Sequence, residues 1–98
     1  MELTKRTSEL LTRYNCNAIS LSRVILEKAD LSYADLSSAY LSSAYLRYAD
    51  LRWSRLNETV MVAANVEYAK VTKKEYDYIV NQDVLNIDKI IIVQEEDH

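Results

Sequence analysis

Aliphatic residues recur at every fifth position through more than half of the chain: Leu21, Leu26, Leu31, Leu36, Leu41, Leu46, Leu51, Leu56, Met61, Val66 and Val71. Two residues ahead of each stands a small or β-branched residue: Ile19, Val24, Ala29, Ala34, Ala39, Ala44, Ala49, Ser54, Thr59, Ala64 and Ala69. Eleven pentads thus run in one phase across residues 19–73, and an internal repeat constrains architecture more tightly than any local signal. The period fits neither regular element. In a helix, five residues rotate a side chain by about 140°, which would scatter these leucines around the whole surface. In a flat strand, an odd step sends every second one to the opposite face. Only a chain that bends once per pentad keeps them all inside. The aliphatic residue then fills a common axis, and the small residue lets the corner close. Each buried Leu contributes about 1.5–3 kcal/mol before chain entropy is subtracted.

The run Lys28-Ala29-Asp30-Leu31-Ser32-Tyr33-Ala34-Asp35-Leu36-Ser37 reads twice as Ala-Asp-Leu followed by two variable residues. It resembles the pentapeptide-repeat family, whose motif is a small residue, Asp or Asn, Leu, and two variable positions. Asp30, Asp35, Asp50 and Asn65 match the polar second position, whereas Tyr40, Tyr45, Arg55, Val60 and Lys70 depart from it. The resemblance implies an all-β solenoid: a right-handed quadrilateral parallel β-helix with one pentad per side, hence just under three coils for residues 19–73. Coils would stack at about 4.8 Å through backbone hydrogen bonds. Corners built from turns that Ser, Arg and Tyr tolerate would remove the need for Gly, of which the chain has none.

One domain is expected for residues 1–98, and an array this short needs its ends covered. Leu3, Leu10, Leu11 and Tyr14 have helical spacing before Asn15-Cys16-Asn17, so residues 1–18 are expected to form an amino-terminal helical cap. Thr72-Lys73-Lys74-Glu75 matches a capping box and predicts a short helix running to about Val80. Residues 74–98 would then be a carboxy-terminal helix and tail. The tail holds Val84, Leu85, Ile87, Ile90, Ile91, Ile92 and Val93, a β-prone apolar group with two readings. It folds back on its own coil, or Leu85, Ile87 and Ile90 to Val93 pair with a second copy to make a homodimer.

With four pentads per coil, residues twenty apart stack on the outside. Glu27, Arg47 and Glu67 then alternate in sign, Tyr33, Trp53 and Lys73 form a second column, and Lys28, Tyr48 and Tyr68 a third. Such rungs act like cross-strand pairs. Tyr and Trp on a rigid surface are typical of protein contact patches, so Tyr33, Trp53, Tyr48, Tyr68, Arg47 and Arg52 form the candidate protein-binding face. The alternative is that the rings merely stack on each other and shield the sheet. Asp30 above Asp50 could form a carboxylate pair with raised pKa, but outward acids are usually solvated.

The chemistry of catalysis is missing. The single His is the last residue, His98, and Cys16 is the single Cys; neither a nucleophile–base pair nor a metal ligand set can be assembled. No catalytic, cofactor-binding or metal residues are expected, and no cofactor. No apolar region follows Met1-Glu2-Leu3-Thr4-Lys5, so a cytoplasmic protein is expected, with no membrane contact. Residues 19–73 hold six acids and seven bases, and residues 74–98 seven acids and two bases, so the net charge of −3 comes from the tail. Two functions follow. One is a non-enzymatic, rigid protein–protein interaction or assembly module with an unidentified protein partner. The alternative comes from the resemblance: inhibition or protection of a nucleic-acid-handling machine, such as DNA gyrase, by DNA-like mimicry. A mimic needs negative charge spread along the rod, and this rod is near neutral and about 13 Å long. Direct nucleic-acid binding is not expected, since no basic stripe accompanies the aromatics.

Overall fold

The computed structural model describes residues 21–94; the expected amino-terminal helix and Cys16 lie outside the described residues. Every inward position of the pattern between Leu21 and Val71 is buried, most of them completely. Leu31, Leu36, Leu41 and Leu46 all belong to a single core with the alanines between them. The chain bends once per pentad, and successive coils are joined by parallel bridges between residues twenty apart, such as Ile25 with Tyr45, Asp35 with Arg55, and Tyr40 with Val60. A coil therefore has four sides. We number them by their central residues: side 1 (Leu21, Leu41, Met61), side 2 (Leu26, Leu46, Val66), side 3 (Leu31, Leu51, Val71) and side 4 (Leu36, Leu56).

The five backbone N–H groups of one pentad explain why the repeat has this composition. In Ala64–Tyr68 and the residue after it, Asn65 N–H donates to Ala44 of the coil below (2.9 Å). Val66 and Tyr68 donate to Leu85 and Lys89 of the coil above (both 3.1 Å). Ala69 N–H closes the corner on Val66 (3.0 Å). The Glu67 N–H is left, and it donates to the Asn65 side chain at 3.1 Å. The same side-chain bond, also at 3.1 Å, runs from Ser32 to Asp30, from Ser37 to Asp35 and from Arg52 to Asp50. The Asp or Asn of the motif thus satisfies the one donor that neither the corner nor the stack can use.

The corners are less relaxed than the sequence reading expects. The second variable residue of each of the first ten pentads has positive φ, from 59° at Ser43 to 63° at Lys28 and Tyr33, and none of the ten is Gly. With the Ala34 N–H bonded to Leu31 oxygen across Ser32 and Tyr33, each corner has the sign pattern of a type II turn, which normally takes Gly or Asn there. The left-handed conformation costs an ordinary residue about 1 kcal/mol. Its return is an N–H aimed at the next coil, as from Tyr33 to Arg52 (3.1 Å). A β-branched residue would be worse placed, and the ten are Arg23, Lys28, Tyr33, Ser38, Ser43, Tyr48, Trp53, Glu58, Ala63 and Tyr68.

After Val71 the repeat gives way to helix α1, Lys73–Ile79, with Thr72 as its N-cap. Glu75 Oε1 accepts both the backbone N–H and the hydroxyl of Thr72, at 2.7 and 2.8 Å. Ile79 is fully buried on the core, and the Tyr78 hydroxyl donates to Thr59 oxygen (2.7 Å). The helix takes the place of a pentad above side 4. The tail then resumes the coil: Ala63 N–H reaches Asp83, Leu85 bridges Asn65, and strand β2 (Ile91–Ile92) pairs in parallel with β1 (Lys70–Val71). Between Leu85 and β2 lies a short 3-10 turn, Ile87–Lys89, entered through Asn86 with φ of 64°. Within the chain the tail thus folds back on its own coil. Val84, Ile87 and Ile90 pack against the core, whereas Leu85, Ile91 and Ile92 remain exposed and Val93 half-buried.

Candidate functional site: the aromatic side

Side 3 brings the candidate residues together. Its two corners carry Tyr48 and Tyr68 on one edge and Tyr33 and Trp53 on the other, because corner residues twenty apart must stack. Tyr33 and Trp53 lie 5.0 Å apart, centroid to centroid, at 22°. Tyr48 and Tyr68 lie 5.2 Å apart at 32°. Each edge also carries an arginine over a ring: Arg47 lies 5.6 Å from the Tyr48 centroid and Arg52 5.0 Å from that of Trp53. Stacking on a corner held in a single backbone conformation fixes these rings before any partner arrives.

Neither arginine is free. Arg47 sits between Glu27 (3.7 Å) and Glu67 (2.8 Å), and Lys89 extends the column by contacting Glu67 at 3.4 Å. The alternating column expected from the sequence is present, with a fourth member supplied by the tail. Arg52 grips Asp50 through Nε (2.9 Å) and Nη2 (2.7 Å). Burial pushes the Asp50 carboxyl up, but the Arg52 hydrogen bonds and charge, with Lys70 nearby, outweigh it and hold the pKa below the ordinary value. The Asp50 hydrogen bond correspondingly raises Arg52. A raised pair with Asp30 does not arise at Asp50. Lys73 also leaves its expected column, since it opens α1 and pairs with Asp77 at 2.9 Å.

A cleft of about 210 Å³ lies between α1 and side 4, lined by Ser54 to Asn57, Lys74, Glu75 and Tyr78. Glu75 Oε2 is buried there without a hydrogen-bond partner among the described residues. Burial, and then the charge of Glu58, raise the Tyr78 phenol. The sequence pattern did not point to this cleft, because the capping box marks Glu75 as a helix cap only. Among the described residues no group of His, Cys, Asp or Glu is placed to hold a metal ion, and no helix is long and apolar enough to cross a membrane.

These features define a class: a solenoid of five-residue repeats whose chemistry lies on its outer sides. The family model for pentapeptide repeats (8 copies) matches residues 19–57 and 34–72, together more than half of the chain. The chain belongs to the pentapeptide-repeat family. Members of this family are generally non-enzymatic structural or interaction modules, with a right-handed β-helical solenoid as the general fold. Neither the curated proteins nor the solved structures include a match.

Proposed function

We propose that this chain is a non-catalytic protein–protein interaction or assembly module, and that side 3 is its contact face. The fold behind it is taken as a right-handed quadrilateral of just under three repeat coils, extended by the tail and operating in the cytoplasm. The observation that carries the reading is the pair of stacked aromatic edges, Tyr33–Trp53 and Tyr48–Tyr68, on one side of a rigid coil. Preorganised aromatic rings with arginines beside them are what concentrated binding energy at an interface requires. Since Arg47 and Arg52 are already neutralised by their own carboxylates, recognition would rest on ring contact more than on net charge.

The test is affinity capture from source-cell lysate with the wild type and a Trp53→Ala, Tyr48→Ala variant, quantified against a folded control. Selective loss of a partner by the variant supports the face; equal recovery of every partner by both proteins overturns it. Mimicry of DNA is the runner-up. The paired columns of Glu27, Arg47, Glu67 and Lys89 leave no continuous negative track for it. Inhibition or protection of gyrase in a supercoiling assay, at stoichiometric protein, would reverse that order.

A further inference from the structure

Side 1 and the strand column of side 2 form a second surface, and its character is different. Tyr40, Tyr45, Val62 and Leu85 are each about half exposed, with Ile25 at the lower end. Among the described residues, no ring pair or arginine contact involves Tyr40 or Tyr45. The corner between the two columns is small, occupied by Ser43 and Ala63. The charges on this strip stand at its ends: Arg23 on the first described coil, and Asp83, bonded through its carbonyl to Ala63 N–H at 2.7 Å, on the last. Both are exposed, and neither is in an ion pair among the described residues.

We propose that this surface receives a second copy of the chain, related by a two-fold axis perpendicular to the solenoid axis. The argument is charge complementarity along the strip. A copy running in the same direction would set Arg23 on Arg23 and Asp83 on Asp83. An antiparallel copy sets each Arg23 against the other's Asp83, and the same operation brings Ile25 to Leu85, and Tyr40 and Tyr45 to the level of Val62. The axis then passes between the second and third coils, where the small corner residues Ser43 and Ala63 let the two copies approach edge to edge. Such a contact is self-complementary by construction. The described body measures 30 × 30 × 22 Å, so one side offers less than the roughly 800 Å² per partner of a standard interface. The dimer is therefore reversible and concentration-dependent. It leaves side 3 open.

The test is sedimentation of the full-length protein over a concentration series, from about the micromolar to the millimolar range that weak interfaces require. Four variants are compared: Val62→Glu, Arg23→Glu, Arg23→Glu with Asp83→Arg, and Ile92→Lys. The altered residues are exposed, and helical and melting signals confirm folding. The expected result is a wild-type dimer, about tenfold or more weakened by Val62→Glu and by Arg23→Glu, and restored by the double charge exchange. Ile92→Lys should leave it unchanged. A wild type that stays monomeric throughout, a dimer indifferent to Val62→Glu, a double exchange that fails to restore, or a dimer abolished by Ile92→Lys would each overturn the proposal. The last would assign association to strand β2 instead.

Discussion

The Arg47 guanidinium lies one coil below Glu67, with Nε 2.8 Å from Oε1, although twenty residues separate the two in the chain. The contact depends on a coil of twenty residues, and Glu27 and Lys89 extend it to both sides. All four side chains are partly exposed, so each pair is weak. Arg47→Ala should cost about 0.5–1 kcal/mol. Arg47→Glu should cost more, because it sets three carboxylates in one column. The difference between these variants should shrink in about 1 M salt, where screening acts within a few ångströms. Urea unfolding followed by the single tryptophan, Trp53, measures both effects; equal midpoints for the two variants at low salt would refute the column.

The corner residues provide a second expectation, since their cost is conformational and needs no lost contact. Lys28 has φ of 63°, and its N–H donates to Arg47 oxygen (3.0 Å). Asn enters the left-handed region more readily than Lys, so Lys28→Asn should stabilise by up to about 1 kcal/mol. Lys28→Val should destabilise by about 1–3 kcal/mol, because a β-branched side chain is poorly suited to that backbone. Thermal unfolding of both variants beside the wild type measures the split. If Val were tolerated as well as Asn, the corners would not be strained in the way their φ values state.

What could be foreseen divides along the same line. The five-residue period reports the interior, where Leu31 and Ala34 must face the axis, so the solenoid and the coil of twenty were legible, as were the columns of Tyr33 on Trp53 and Arg47 on Glu67. The capping box placed α1 because Thr72 and Glu75 act over a single turn. The corner strain was not legible. Side-chain preference argues against positive φ at Trp53 or Glu58, and only the closure of the coil forces it. Lys73 falls on the Trp53 column only by the count of twenty, and that count stops applying where the helix begins. Tyr40 and Tyr45 looked like departures from a motif. Their shared surface around Ser43 emerges only when sides 1 and 2 are folded next to each other.

Two carboxylates predict how stability varies with pH. The Asp35 pKa is lowered chiefly by the Ser37 side-chain hydrogen bond, and that of Asp50 by Arg52 against the opposing effect of burial. Because both folded values lie below the unfolded ones, the unfolded chain takes up protons first as pH falls. The contribution is then fully present above the unfolded pKa of about 4 and is lost as pH drops through the folded values. Urea midpoints should stay level from pH 7 to about 5 and fall toward pH 3. Asp35→Asn with Asp50→Asn should flatten that fall, while each amide oxygen still accepts the N–H two residues on. A double variant with an unchanged acid slope would show that other carboxylates dominate.

Glu75 offers the sharpest contrast between a hydrogen-bonding role and a charge role. Its Oε1 holds the Thr72 N–H and hydroxyl, whereas its buried Oε2 has no partner among the described residues. Removing the side chain leaves the Thr72 donors without an acceptor beneath the helix that closes side 4, so Glu75→Ala should cost about 1–3 kcal/mol. Glu75→Gln keeps one oxygen for Thr72. It replaces an orphaned carboxylate oxygen with an amide group that is cheaper to bury, which offsets the weaker, uncharged hydrogen bonds. The Gln variant should therefore fall within about 1 kcal/mol of the wild type. Denaturant unfolding decides the matter. A Gln variant as damaged as the Ala variant would mean that the cap requires the negative charge itself at the first turn of α1.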